Sequence, residues 1–164
     1  MTWKEIKEYI RGDLARMTTP SYLSALRYLV CNASFKITFW FRLGFISSPP
    51  IISLIIRGIS QIILKHYNYK TGIQVWPGAD IGKGLCFGHF SCIVIAGGYH
   101  IGENCTVLQG VTIGSVRGKG APSIGNNVVI SANSLILGNI NIGDNVMIGA
   151  GSVVIRMFQI MLLL

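Results

Sequence analysis

Few residues in this 164-residue chain have side chains suited to chemistry, and their spacing is informative. His89 stands in the run Gly84-Leu85-Cys86-Phe87-Gly88-His89-Phe90. An imidazole titrates near ~6.5, so a histidine in such a turn can take a proton from a hydroxyl at neutral pH. Further on comes a basic, glycine-rich stretch, Ser115-Val116-Arg117-Gly118-Lys119-Gly120-Ala121-Pro122-Ser123, whose two cations suit a phosphorylated ligand. His66, in a helical stretch, and His100, just before an aliphatic residue, read as structural. The three histidines do not have the spacing of zinc ligands, so no metal is expected. Cys31, Cys86, Cys92 and Cys105 form no CxxC pair and read as small buried packing residues in a reducing compartment.

These residues must be held by something regular, and the sequence supplies it. Across residues 75–154 an aliphatic or aromatic anchor returns every six positions: Val75, Ile81, Phe87, Ile93, Ile101, Val107, Ile113, Ile124, Ile130, Ile136, Ile142, Ile148 and Val154. Neither a helix nor an alternating strand has that period. A left-handed parallel β-helix does, with one short strand and a turn per step and three steps per triangular coil. The fold class expected is mainly β, a β-helix preceded by a small α-helical domain. Small residues four positions after an anchor (Cys105, Val111, Val128, Ser134) fit the corners, and glycine after the anchor reads as permissive backbone. The ladder is interrupted twice, around Gly97-Gly98 and at residues 115–123. Insertions in a regular scaffold tend to sit where function is, and His89 lies just before the first.

Residues 1–70 read as the helical domain. Helices are expected over 3–16, 22–45 and 51–66, with Ser21 as a cap, the Ser47-Ser48-Pro49-Pro50 run as a break and 67–72 as a linker. Arg42, Arg57 and Gln61 interrupt apolar runs already too short to span ~30 Å of hydrocarbon. The expectation is a helical domain buried against itself and sister subunits, with peripheral contact at the membrane surface as the alternative. The formal charge of +8 points to anionic partners, but no basic helix or aromatic-interleaved patch suits nucleic acid. No signal peptide opens the chain, so a cytoplasmic location is expected, at most at the inner face of the membrane.

Three stretches resemble the serine acetyltransferase family of hexapeptide-repeat acyltransferases. They are the His89 run followed by Ile93-Val94-Ile95, then Leu108-Gln109-Gly110-Val111-Thr112-Ile113-Gly114, then Leu137-Gly138-Asn139-Ile140 through Ile148-Gly149-Ala150-Gly151-Ser152-Val153-Val154. Gly72-Ile73-Gln74-Val75 together with Gly88-His89-Phe90 looks like the branch associated with capsule and exopolysaccharide clusters. The resemblance implies a homotrimer, which can pair into a hexamer, with acetyl-CoA as co-substrate in the groove between adjacent β-helices. It implies His89 as catalytic base, Arg117, Lys119 and Lys83 as cations for the cofactor phosphates, and Gly110 and Gly114 as places of close cofactor approach. Three matching positions depart from the family pattern. Gln74 stands where an aspartate orients the histidine, Ala121 where a second histidine serves serine binding, and Thr18-Thr19-Pro20-Ser21 where Arg-Asp-Pro-Ala occurs. A site that reads a zwitterionic amino acid needs a carboxylate for the ammonium. Losing these acids favours a sugar hydroxyl, as in a surface polysaccharide or its precursor, over L-serine, with Gln74 as a substrate contact.

The β-helix domain is expected over 71–156. Residues 157–164, Met-Phe-Gln-Ile-Met-Leu-Leu-Leu, form an atypical hydrophobic tail. A coding string for Asp-Val-Pro-Asp-Asn-Ala-Val-Val that loses its first nucleotide reads as these eight residues, so the tail has the form of a frameshifted ending; the alternative is a genuine short hydrophobic C-terminus that packs on a neighbour. The rival to an enzyme is a non-catalytic β-helix, either an assembly scaffold or a truncated relic.

Overall fold

The computed structural model describes residues 1–47, 49–89, 91–116 and 120–155. Four helices come first: α1 (Trp3–Ala15), α2 (Tyr22–Cys31), α3 (Ala33–Leu43) and α4 (Pro50–Thr71). The single helix expected over 22–45 is broken at Asn32. Its backbone is extended, and its side chain accepts from Phe35 N–H to cap α3. The linker expected after His66 is helical instead. Nothing there breaks α4 until Gly72, whose left-handed conformation ends it with its N–H on Asn68 O. Among the described residues no helix is long and apolar enough to cross a membrane.

Thirteen short strands follow: β1 (Gln74–Val75), β2 (Asp80–Ile81), β3 (Cys86–Phe87), β4 (Val94–Ile95), β5 (His100–Ile101), β6 (Thr106–Val107), β7 (Thr112–Gly114), β8 (Ser123–Ile124), β9 (Val129–Ile130), β10 (Leu135–Leu137), β11 (Asn141–Ile142), β12 (Met147–Ile148) and β13 (Val153–Val154). Every third strand pairs in parallel, which gives three faces: β1-β4-β7-β10-β13, then β2-β5-β8-β11, then β3-β6-β9-β12. The chain is a left-handed parallel β-helix behind a four-helix leader, as the ladder predicts. Its second strand residues point inward, and Ile101, Val107, Ile113, Ile124, Ile130 and Ile136 are fully buried in a continuous column.

The register corrects one rung. Val75 pairs with Ile95 and Ile95 with Ile113, so Ile95 and not Ile93 is the anchor of β4. Ile93 is also fully buried, at the corner slot that Val111 and Ser134 fill in later coils, which is why six-residue counting accepts it. The two extra residues therefore fall between Phe87 and β4, in the turn that holds His89, and not around Gly97-Gly98.

The reading of the glycines after anchors also changes. Gly82, Gly102 and Gly125 do not adopt positive φ; that conformation belongs to the following corner residues, among them Gly84, Asn104 and Asn127. Gly102 is needed because a Cβ there would lie 2.7 Å from the backbone of Gly125 in the next coil. Backbone cannot yield as a flexible side chain can. Gly102→Ala is expected to destabilise the protein by about 1–3 kcal/mol, the usual cost of overpacking, read as a lower midpoint in urea.

Candidate active site

The leader does more than precede the coil; its side chains close the open end. The first strand of each face has no coil before it, which leaves edge groups that need partners. Phe87 N–H donates to Ser34 Oγ at 2.9 Å. Arg42 donates from Nη1 to Ile81 O at 2.6 Å and from Nη2 to Gly82 O at 2.7 Å. Gly84 N–H and Leu85 N–H donate to Asp13 Oδ1 at 2.8 and 2.9 Å. Asp13 and Arg42 form a bidentate pair, Nε to Oδ2 at 2.9 Å and Nη2 to Oδ1 at 3.1 Å, with side chains 0% and 2% exposed. Burial pushes the Asp13 carboxyl up, while the guanidinium and the two amides pull it down. No sequence pattern announces this pair; an Asp and an Arg facing the core from two amphipathic helices is the only signal.

β3, held this way, leads directly into the His89 turn. Residues 88–93 form the longest corner on the edge between the third and first faces. Gly88 and His89 are exposed, and no protein group among the described residues hydrogen-bonds the imidazole. Backbone hydrogen bonds tie the described part of the turn to its neighbours. Ser91 N–H donates to His89 O at 3.2 Å, Cys92 N–H to Thr71 O at 3.2 Å, and Gly110 N–H from the coil beyond to Ser91 O at 3.0 Å. Cys92 takes φ 50, a left-handed conformation that side chains rarely adopt and that persists only where surroundings impose it. The turn thus presents an unencumbered base from a firm platform. In the same column, Gln109 Oε1 is buried without a donor among the described residues, an acceptor that sequence reasoning missed.

The other expected residues are scattered. Gln74 lies on β1 with its N–H on Ile93 O at 2.7 Å, and its exposed side chain makes no hydrogen bond among the described residues. Gly110 takes φ +72, and a Cβ there would collide with the Asn133 side chain, so it is required by the turn itself. Gly114 closes β7 and has room for a methyl group against Leu137. Lys83 is drawn to the leader, 3.0 Å from Glu8 and 3.7 Å from Glu103, which hold its ammonium above the usual lysine range. Arg117 and Lys119 lie outside the described residues, as does the tail, residues 157–164. In sequence they fall between β7 and β8, a different connection from the one between β3 and β4 that carries His89.

His100 is paired with Asp80, Nδ1 to Oδ2 at 2.7 Å on the exposed side of β5 and β2. Of the cysteines expected to be buried, Cys105 and the half-buried Cys86 fit, whereas Cys31, at the end of α2, and Cys92, in the turn before β4, are exposed. Burial pushes the Cys105 thiol up to about 12, and it raises Cys86 against the pull of Arg16. Neither is a nucleophile at neutral pH. Among the described residues no cluster of three His, Cys, Asp or Glu could hold a metal.

Comparison with known proteins bears on the fold. Residues 121–156 match the family model for bacterial transferase hexapeptide repeats. The serine acetyltransferase of Staphylococcus aureus is 48% identical over 87 residues, 51% of this chain and 39% of that protein. The chain thus spans about two fifths of the length of such curated relatives. Among solved structures, the Neisseria gonorrhoeae serine acetyltransferase in complex with serine superposes with TM-score 0.74 and 29% identity, covering 93% of this chain and 63% of the other. Isoform 3 from Entamoeba histolytica, in complex with cysteine, gives 0.72 and 28%, covering 94% and 55%. In sequence over the coil, and in fold over nearly its whole length, this chain is similar to serine acetyltransferases.

Proposed function

We propose that the chain transfers an acetyl group from acetyl-CoA to a hydroxyl, in the manner of its relatives, with His89 as general base. The observation that carries this is the lengthened corner at residues 88–93, which holds an exposed, unpaired imidazole on a hydrogen-bonded platform. Acetyl-CoA supplies the activated acetyl thioester. His89 takes the hydroxyl proton as the oxygen bonds to the thioester carbonyl carbon; the carbon–sulfur bond breaks, and the proton leaves with the thiol.

His89 stands in the connection between β3 and β4, whereas Arg117 and Lys119 fall in sequence between β7 and β8, so a site using all three would draw them from two copies side by side. Three copies in a ring would form three such sites, which supports a homotrimer. The aliphatic residues left exposed on α2 and α4, including Leu23, Leu26, Ile51, Leu54 and Ile62, suit further contacts between copies.

The names of the relatives favour L-serine as acceptor. A second reading, a sugar hydroxyl of a surface polysaccharide, rests on where the acids lie. All six are engaged: Glu5 with Thr2, Glu8 and Glu103 with Lys83, Asp13 with Arg42, Asp80 with His100, and Asp144 with Asn126 N–H. None of these partners is in the His89 turn, so among the described residues of one chain no side-chain carboxylate waits there for an ammonium. Incubation of purified protein with acetyl-CoA and L-serine separates the two by thiol release. Rapid serine-dependent turnover supports the first reading; turnover with sugars alone supports the second.

A further inference from the structure

A cavity of about 350 Å³ opens where the leader meets the His89 turn. Its walls come from the break between α2 and α3 (Cys31, Ala33, Lys36), the last turn of α4 (Tyr67, Lys70, Thr71) and Ser91. The size suits a small ligand rather than a water cluster. We propose that this cavity seats an anionic group of the acceptor, a carboxylate or a phosphate, and that Lys36 and Lys70 bind it. The proposal rests on the acetyl-transfer reading and goes beyond it by naming the class of acceptor.

The charged side chains of the walls have one sign. Lys36 and Lys70 bring two positive charges, and among the described residues neither has a carboxylate within ion-pair distance. The six acids of the chain are all engaged elsewhere, so nothing neutralises the pair from within. Lys36 Nζ sits 6.0 Å from the centre of the Tyr67 ring, a weak contact at the limit of cation–π attraction. α3 begins in the wall at Ala33 and brings the positive end of its dipole. Lys70 also stands in the last turn of α4, where it offsets the negative end of that helix. That role accounts for one lysine and not for the second one facing the same space.

The cavity is coupled to the base through the backbone. Ser91 N–H meets His89 O, and Cys92 N–H meets Thr71 O. Two wall residues are thus hydrogen-bonded into the turn that presents the imidazole. An acceptor anchored by its anion would therefore be held against the turn that carries His89. The walls carry no acid, so an ammonium on the acceptor would gain nothing.

Matched acceptors test this, with thiol release from acetyl-CoA as the readout on the full-length protein. The pairs are glycerate against glycerol and glucuronate against glucose, with glucose 6-phosphate to tell phosphate from carboxylate and L-serine to show whether an ammonium matters. The expected result is a KM at least about tenfold lower for the anionic member of a pair, with L-serine no better than glycerate. Lys36→Gln with Lys70→Gln should raise the KM of anionic acceptors about tenfold or more, with kcat within about twofold and neutral acceptors unaffected. Equal KM values within pairs would overturn the proposal, as would a double variant indistinguishable from the parent, or L-serine turned over where glycerate is not. CoA binding by thermal shift separates this failure from that of the enzyme reading. CoA that binds while anions give no advantage sinks only the cavity's role, and absence of CoA binding together with absence of turnover sinks both.

Discussion

His89→Ala is expected to lower acetyl transfer by ~10²–10⁴-fold, the usual contribution of a positioned general base, while the protein melts at an unchanged temperature. The side chain is exposed and hydrogen-bonds nothing among the described residues, so its removal should shift stability by no more than about 0.5 kcal/mol. The backbone bonds of the turn, Ser91 N–H to His89 O and Gly110 N–H to Ser91 O, do not depend on the imidazole. CoA should still bind the variant. At a hundred times its dissociation constant it should stabilise parent and variant alike by about 2.7 kcal/mol. A non-catalytic scaffold predicts something different: no acetyl transfer in either protein and no stabilisation by CoA. Activity that survives in His89→Ala would mean that another group takes the hydroxyl proton.

The ladder of anchors was enough to read the coil from the sequence, because each buried strand residue solves the same packing problem six positions apart. It was not enough to place the first interruption. Ile93 and Ile95 are both fully buried, and counting by six takes the nearer one, whereas the pairing of Val75 with Ile95 takes the farther. The consequence is functional, since the inserted residues turn out to hold His89 rather than to follow it. The helical leader was legible only in outline. Amphipathic periodicity runs unbroken across Asn32, and only its capping bond to Phe35 N–H shows that one helix ends and another starts there. That break matters because it forms one wall of the cationic cavity. His89 is legible as a candidate base from its local motif. The cavity is not, since Lys36, Lys70 and Ser91 are far apart in sequence and meet only when α4 runs on to Thr71.

Asp13→Ala should be the most damaging single change to the fold, at about 3–5 kcal/mol, because it strands the buried Arg42 guanidinium. It also removes the acceptor for Gly84 N–H and Leu85 N–H. Arg42→Met should cost a similar amount by stranding Asp13 and freeing Ile81 O and Gly82 O. A chemical denaturation midpoint reads either. The double replacement Asp13→Leu with Arg42→Met is the sharper test. For many buried ion pairs, apolar residues of similar size are neutral or stabilising, because two charges no longer have to be desolvated. Here the pair also satisfies four backbone groups at the open end of the coil, and each group left buried without a partner costs about 1–3 kcal/mol. The double variant should therefore remain well below the parent in stability. If it matched the parent, the pair would be an ordinary buried ion pair and the coil would need no cap from the leader. Its effect on catalysis should follow from position, since β3 is the strand that carries the chain into the His89 turn. Partial loss of the cap should loosen that turn before the later coils, so acetyl transfer should fall at temperatures where the coil is still folded. His89→Ala separates the two causes: it removes activity and leaves the melting curve alone, whereas the cap variants move both.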